Sequence, residues 1–232
     1  MDNVELKMEQ KMSSKILWGV FTCLLTLLSA CSDESSSFNA SDVCPVDGYN
    51  AYGMPNRGTF VDERDGRVYS YTTIGDQVWM AQSLNYDAAG SFCYDSLSEN
   101  CEKYGKLYRG ENLDQLCPAG WRMPKVNDYE KLMAAVDNKM EVLAAGYWEH
   151  ENEIVDTLSL NECGLSLRAG GFAYATEHRN KNRDVSFWTD ELDDRYENED
   201  YFKTFYVCYK YTNLSGSQWI ETMKYYVRCI KE

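Results

Sequence analysis

The chain has 232 residues, with 37 acidic against 23 basic side chains and a formal net charge of −14. With 26% charged residues and 44% of the hydrophobic types, it has globular composition, which excludes a mainly disordered or collagen-like chain and a multi-span membrane protein. The acidity argues against nucleic acid as a partner, since phosphate binding needs clustered Lys and Arg that release counterions, and against electrostatic attachment to anionic lipid.

The first feature along the chain is an export signal. Ile16 to Leu28 reads ILWGVFTCLLTLL, thirteen residues without a charge, preceded by Lys7, Lys11 and Lys15. That is the layout of a secretory signal, and it is too short for a spanning helix of about 20 residues. Translation starting at Met12 instead of Met1 gives a conventional short signal. The next four residues, Leu28-Ser29-Ala30-Cys31, resemble the bacterial lipobox, in which Leu, Ala or Ser, and Gly or Ala precede the cysteine. The resemblance implies diacylglycerol on the Cys31 thiol, cleavage before Cys31 and acylation of its amino group. More than one acyl chain is needed for lasting anchorage. Ser32 in place of Asp favours, by the same resemblance, sorting to the outer membrane. The expected organisation is a lipoprotein signal over 1–30, lipidated Cys31 with a flexible tether over 31–58, and one domain over 59–232.

Within the domain, Arg67–Ile74 and Gln77–Ala81 are β-branched and aromatic runs joined by Gly75-Asp76, which predicts a hairpin. After Pro124, Asn127 with Glu130 three residues on predicts a capped helix start, followed by an apolar stripe of Tyr129, Leu132, Met133 and Val136 at helical spacing. Asn138–Ala145 reads as a second short helix. Beyond Leu158 come short β runs at Gly164–Arg168, Phe187–Thr189, Phe205–Tyr211 and Lys224–Ile230. The expected fold class is α+β, with helices early and an antiparallel sheet built largely from the C-terminal half.

Seven cysteines remain after Cys23 and Cys31: Cys44, Cys93, Cys101, Cys117, Cys163, Cys208 and Cys229. Past the inner membrane disulfides form and persist. No C-x₂-C pair exists and neither His150 nor His178 makes a zinc spacing; no cofactor is expected. There is no nucleophile elbow, zinc-protease motif or P-loop. The acidic run Asp190–Asp200 lacks EF-hand spacing and reads as a solvated loop.

Several segments in order resemble the Fibrobacter succinogenes major paralogous domain family: DGRVY (Asp65–Tyr69), IGDQVWMAQSLNY (Ile74–Tyr86), CYDSLSENCEKYGKLY (Cys93–Tyr108), CPAGWRMP (Cys117–Pro124), GLSLRAGGF (Gly164–Phe172), FWTDE (Phe187–Glu191) and VRC (Val227–Cys229). The resemblance implies a C-type-lectin-like fold of small antiparallel sheets with one or two short helices, stapled by disulfides. It implies Cys93–Cys101 and Cys117–Cys229 as pairs. Cys163 and Cys208, additions to the family pattern, would then bridge neighbouring strands and leave Cys44 as the odd cysteine. Arg109-Gly110-Glu111-Asn112 replaces the family's usual Thr-Trp-Ala-Ala.

Trp79, Trp121 and Trp188 lie in the recurrent segments and read as core, whereas Tyr147, Trp148 and Tyr174 sit in polar surroundings and read as exposed. In lectin-like folds recognition lies on loops between C-terminal strands. The stretch from Ala173 to Ser186 is therefore the expected ligand loop, with Tyr174 for stacking and His178, Arg179 and Arg183 for hydrogen bonding. The functional expectation is an exported, lipid-anchored envelope protein with a non-catalytic lectin-like domain, its ligand a glycan, a cell-wall polymer or a protein. The alternatives are an enzyme related to the sulfatase-modifying factors, and a structural envelope component without a dedicated ligand.

Overall fold

The computed structural model describes residues 38–150, 153–154, 159–195, 201–208, 211–219 and 222–232. The expected signal and Cys31 lie outside the described residues, as does the end of the acidic run.

The architecture is mostly β with a few short helices, compatible with the α+β class. A five-stranded antiparallel sheet has the order β1-β2-β3-β14-β5, formed by Arg57–Asp62, Arg67–Ile74, Gln77–Met80, Ile230–Lys231 and Trp121–Arg122 respectively. The predicted hairpin is its centre. Ile74 pairs with Gln77 across Gly75-Asp76, and Gly75 takes φ +58°, the left-handed conformation that a tight turn requires. The chain's last strand fills the place beside the hairpin: Ile230 is opposite both Trp79 and Arg122. This main sheet is thus built largely from the N-terminal half, not the C-terminal half as the sequence suggested.

A second sheet is the meander β10 (Asp184–Leu192), β11 (Tyr201–Cys208) and β12 (Tyr211–Trp219). A third has the order β4-β13-β8-β9, formed by Tyr108–Arg109, Met223–Tyr225, Phe172–Tyr174 and Glu177–Arg179. Two residues each of β6 (Glu149–His150) and β7 (Glu153–Ile154) make a small ribbon.

Helix α1 (Ala40–Val43) and helix α2 (Ser98–Tyr104) precede the predicted helix α3 (Val126–Ala135). Helix α3 starts at Val126 rather than beyond Asn127. Its cap is supplied by Asp128, whose carboxylate accepts the Lys125 N–H at 2.7 Å and also takes Arg122 Nη1 at 2.7 Å. A salt-bridged acid in the first turn satisfies an orphan donor and complements the helix dipole. The stripe of Tyr129, Leu132, Met133 and Val136 is buried throughout. The second expected helix is only a 3₁₀ turn at Met140–Val142. Asp137 and Asn138 before it both have positive φ, a conformation that short polar side chains tolerate and that ends a helix. The segment 164–168, expected as a strand, is irregular and touches Ala144 through one bridge at Leu167.

Two aromatic cores result. In one, the Tyr129 ring stacks on Phe205 with centroids 4.2 Å apart and meets Trp79 at 5.1 Å. In the other, Trp121 stacks on Phe60 at 4.4 Å while Trp188 packs on Tyr225 at 4.8 Å. Such pairs add about 0.5–1.5 kcal/mol each beyond area burial.

The part of the expected tether from Phe38 to Gly58 is structured. Asn39 caps α1 by accepting the Ser41 N–H at 3.1 Å, and Phe38, Ala40 and Cys44 pack into the first core. Asn50 accepts two backbone N–H groups, from Tyr52 and Met54, which orders the Gly- and Pro-containing stretch before β1.

Among the described residues three disulfides close the fold: Cys93–Cys101, Cys117–Cys229 and Cys44–Cys163. The first two are the pairs that the resemblance implies. The third corrects the expected Cys163–Cys208 pair. The Cys163 carbonyl accepts the Thr72 hydroxyl at 2.6 Å and its N–H bonds Val142, so it sits beside β2 and the α1 end of the molecule. Cys208 ends β11, opposite Asp184 and Tyr211. Cα atoms 4.9 Å apart suit the Cys44–Cys163 bond. Replacing both of these cysteines by alanine should cost about 2–5 kcal/mol, read by urea unfolding, and non-reducing peptide mapping should find the three pairs named. A linked Cys163–Cys208 peptide would contradict this arrangement.

Candidate functional site

The predicted ligand loop is largely regular structure. Strands β8 and β9 form a hairpin turning at Ala175-Thr176, with Tyr174 opposite Glu177 and Phe172 opposite Arg179. Gly171 has φ +71° and a side chain there would strike the Arg179 carbonyl, so glycine lets the hairpin fold back. Strand alternation then separates the expected site residues. Tyr174 is exposed, the Arg179 guanidinium lies 5.3 Å from its ring centroid, and Arg179 also pairs with Glu177. His178 turns the other way, its ring 4.8 Å from Tyr94 and its Nδ1 3.4 Å from Asp95. Arg183 is exposed in the turn entering β10. Only Tyr174 and Arg179 are brought together. Trp148, expected at the surface, is 1% exposed; its indole belongs to the first core, and Tyr147 is half-buried.

The same region holds a buried acid. Asp184 accepts Asn180 Nδ2 at 2.6 Å and the Tyr206 hydroxyl at 3.1 Å through one oxygen, while its other oxygen has no partner among the described residues. Burial pushes this carboxyl up to about 6, against the two hydrogen bonds.

The sequence did not point to a cleft of about 540 Å³. One wall is β2 from Arg67 to Ser70, another is the segment leaving β3 from Ala81 to Asn85, and a third is the end of α2 from Cys101 through Gly105. The irregular stretch Gly164–Arg168 and, at the base, Arg228 complete it. The walls are tied by backbone bonds: Leu84 N–H to Val227 at 2.7 Å and Lys106 N–H to Leu84 at 2.9 Å. Gly105, at φ +86°, allows α2 to end directly on Ser83 and Leu84, where a Cβ would stand 2.7 Å from both.

Arg228 is 2% exposed. Its Nη1 donates to the carbonyls of Met80 at 3.2 Å and Leu165, and its Nη2 to Ser83 Oγ at 3.3 Å and the Ser166 carbonyl at 3.4 Å. The guanidinium carbon lies 5.5 Å from the Phe187 ring centroid. No carboxylate pairs with it among the described residues. Burial pulls its pKa down to about 10, partly opposed by Tyr129, with Arg168 adding to the depression, so it stays cationic at neutral pH. Arg67, at the rim, pairs with Glu102 through Nη1 at 3.2 Å. Among the described residues, no group of three or more His, Cys, Asp or Glu gathers as a metal site would require.

The model of the Fibrobacter succinogenes major domain matches residues 72–231. The chain belongs to this family. No curated protein and no solved structure matches it. The match to the Fibrobacter succinogenes major domain takes in the Ala81–Asn85, α2, Gly164–Arg168 and Arg228 parts of the cleft. It leaves out Arg67–Ser70 and all of the α1 segment with Cys44, so Cys44–Cys163 ties an element outside the family match to the domain.

The buried acid gives a pH prediction. The folded state holds a proton on Asp184 that the unfolded chain has already released, so stability from this group falls as pH rises from about 4 to about 6. Asp184→Asn should remove that slope and be more stable than the parent at pH 7 by about 1–2 kcal/mol. Urea unfolding of both proteins at pH 4.5 and pH 7 checks this; identical pH dependence in the two would contradict it.

Proposed function

We propose that this protein is exported and anchored in the cell envelope, at the outer membrane or cell surface, through lipid on Cys31. Its domain acts there as a non-catalytic, C-type-lectin-like binding module for a glycan, cell-wall polymer or protein. The observation that carries the binding reading is the cleft. Its walls come from four separate stretches of chain plus Arg228, and they present hydroxyl, amide and guanidinium groups, including Ser70, Gln82, Ser83, Asn85 and Ser166. Convergent polar groups held on a rigid frame are what a binding site needs. A catalytic reading has less support: the His178 ring meets Asp95, Phe92 and Tyr94, and among the described residues no Ser, Thr or Cys hydrogen-bonds it for activation as a nucleophile. Within the binding reading a glycan is favoured over a protein, since the cleft is concave and polar rather than a flat apolar patch.

The full chain, purified in detergent, should bind a restricted set of saccharides on a glycan and cell-wall array, and mass spectrometry of its mature N-terminus should find acylated Cys31. Uniform failure to bind would sink the glycan and cell-wall reading, and an unmodified N-terminus at another residue would sink the anchor.

A further inference from the structure

The geometry points to an acidic saccharide as the ligand of this cleft, its carboxylate received by Arg67, Arg168 and Arg228 and its hydroxyls by the surrounding serine and amide groups. This inference rests on the binding reading above and narrows it to hexuronate-bearing chains.

Three observations carry it. The first is charge. On a protein of net charge −14, this one cleft is lined by Arg67, Lys103, Arg168 and Arg228 against the single carboxylate of Glu102. A concave site lined by one sign of charge, with low-dielectric walls, concentrates the opposite ion.

The second is the missing counter-charge. A buried cation without an acid partner has a desolvation cost that hydrogen bonds to carbonyls offset only in part. Arg228 is in that state: burial disfavours its charge, Tyr129 opposes this in part, and the cation Arg168 adds to it. An anion entering the cleft supplies what the chain withholds. Guanidinium groups match a carboxylate through paired N–H donors.

The third is the distribution of unpaired polar atoms. Of the eight buried side-chain N or O atoms without a hydrogen-bond partner among the described residues, Arg67 Nε, Asn85 Oδ1 and Arg228 Nε belong to side chains lining this cleft. The set contains both donors and an acceptor. A bare anion satisfies only donors, whereas a saccharide, with a carboxylate and hydroxyls, satisfies both kinds. Asn85 and Arg228 are each more than nine-tenths buried, so these groups are fixed in place before any ligand arrives.

The test uses the full chain in detergent and calorimetric titration with three probes: a hexuronate oligosaccharide, its carboxyl-reduced neutral counterpart, and free hexuronate. The acidic oligosaccharide should bind at least about tenfold more tightly than the neutral one, the scale of one charge-assisted hydrogen bond. Arg168→Gln, at a half-buried position whose loss leaves the Arg228 bonds intact, should remove most of that difference with an unchanged unfolding midpoint. Tyr174→Ala on the β8–β9 hairpin should leave affinity within about twofold. Arg228→Lys keeps the charge and should retain more affinity than Arg228→Met, which is the variant at risk of misfolding. Equal binding of the acidic and neutral oligosaccharides would overturn this inference while the glycan reading stands. Binding of neither would overturn this inference and leave the glycan reading to be decided by the array. Free hexuronate binding as tightly as the oligosaccharide would assign the cleft to a small carboxylate and refute the saccharide chain.

Discussion

Everything around the cleft is arranged on the buried guanidinium of Arg228. Its donors reach the end of β3 with the segment that leaves it and the irregular stretch before β8, two pieces of chain that no sheet joins directly. Hydrogen bonds to a charged group contribute about 1.5–3 kcal/mol each, but removing the charge from water costs several kcal/mol. The net gain is therefore small and the gain in specificity of arrangement is large: only one placement of these carbonyls satisfies a planar fork. Arg228 is positioned in turn by its neighbours, because Cys229 is bonded to Cys117 and its carbonyl accepts the Met80 N–H.

That linkage makes the fold depend on contacts between distant parts of the chain. The main sheet is complete only when Ile230 lies between Trp79 and Arg122, so the last residues close a sheet begun by the first strands. Loop closure on this scale is entropically costly, and the two long-range disulfides, with separations of 112 and 119 residues, act on that term. An oxidising compartment, such as the cell envelope proposed above, is where such bonds persist.

Features with a local cause were legible in the sequence. The 67–80 hairpin follows from two β runs around Gly75-Asp76, and helix α3 from its apolar stripe. The burial of Trp79, Trp121 and Trp188 and the pairs Cys93–Cys101 and Cys117–Cys229 came from the recurrent family segments. Features set by tertiary placement were not legible. Cys163 bonds Cys44 because its backbone is carried to β2 by Thr72, which no spacing encodes. Trp148 is buried although its neighbours in sequence are polar, since a tertiary core outweighs local polarity. Only part of the proposed hairpin site came together, because Tyr174 and His178 fall on opposite faces of a strand pair where a loop was expected. The cleft is not legible because its lining residues are scattered from Arg67 to Arg228; VRC is a family segment, but a buried arginine in it carries no sequence signature of its missing acid.

We propose that cationic side chains of this cleft, and not the exposed hairpin, receive an anionic ligand. Following the arginine side-chain N–H resonances of the full chain by NMR during a hexuronate oligosaccharide titration tests it most directly. Signals of Arg67, Arg168 and Arg228 should shift together and saturate, with Arg179 and Arg183 unmoved. Saturable shifts at Arg179 and Arg183 with the three cleft arginines unchanged would contradict it.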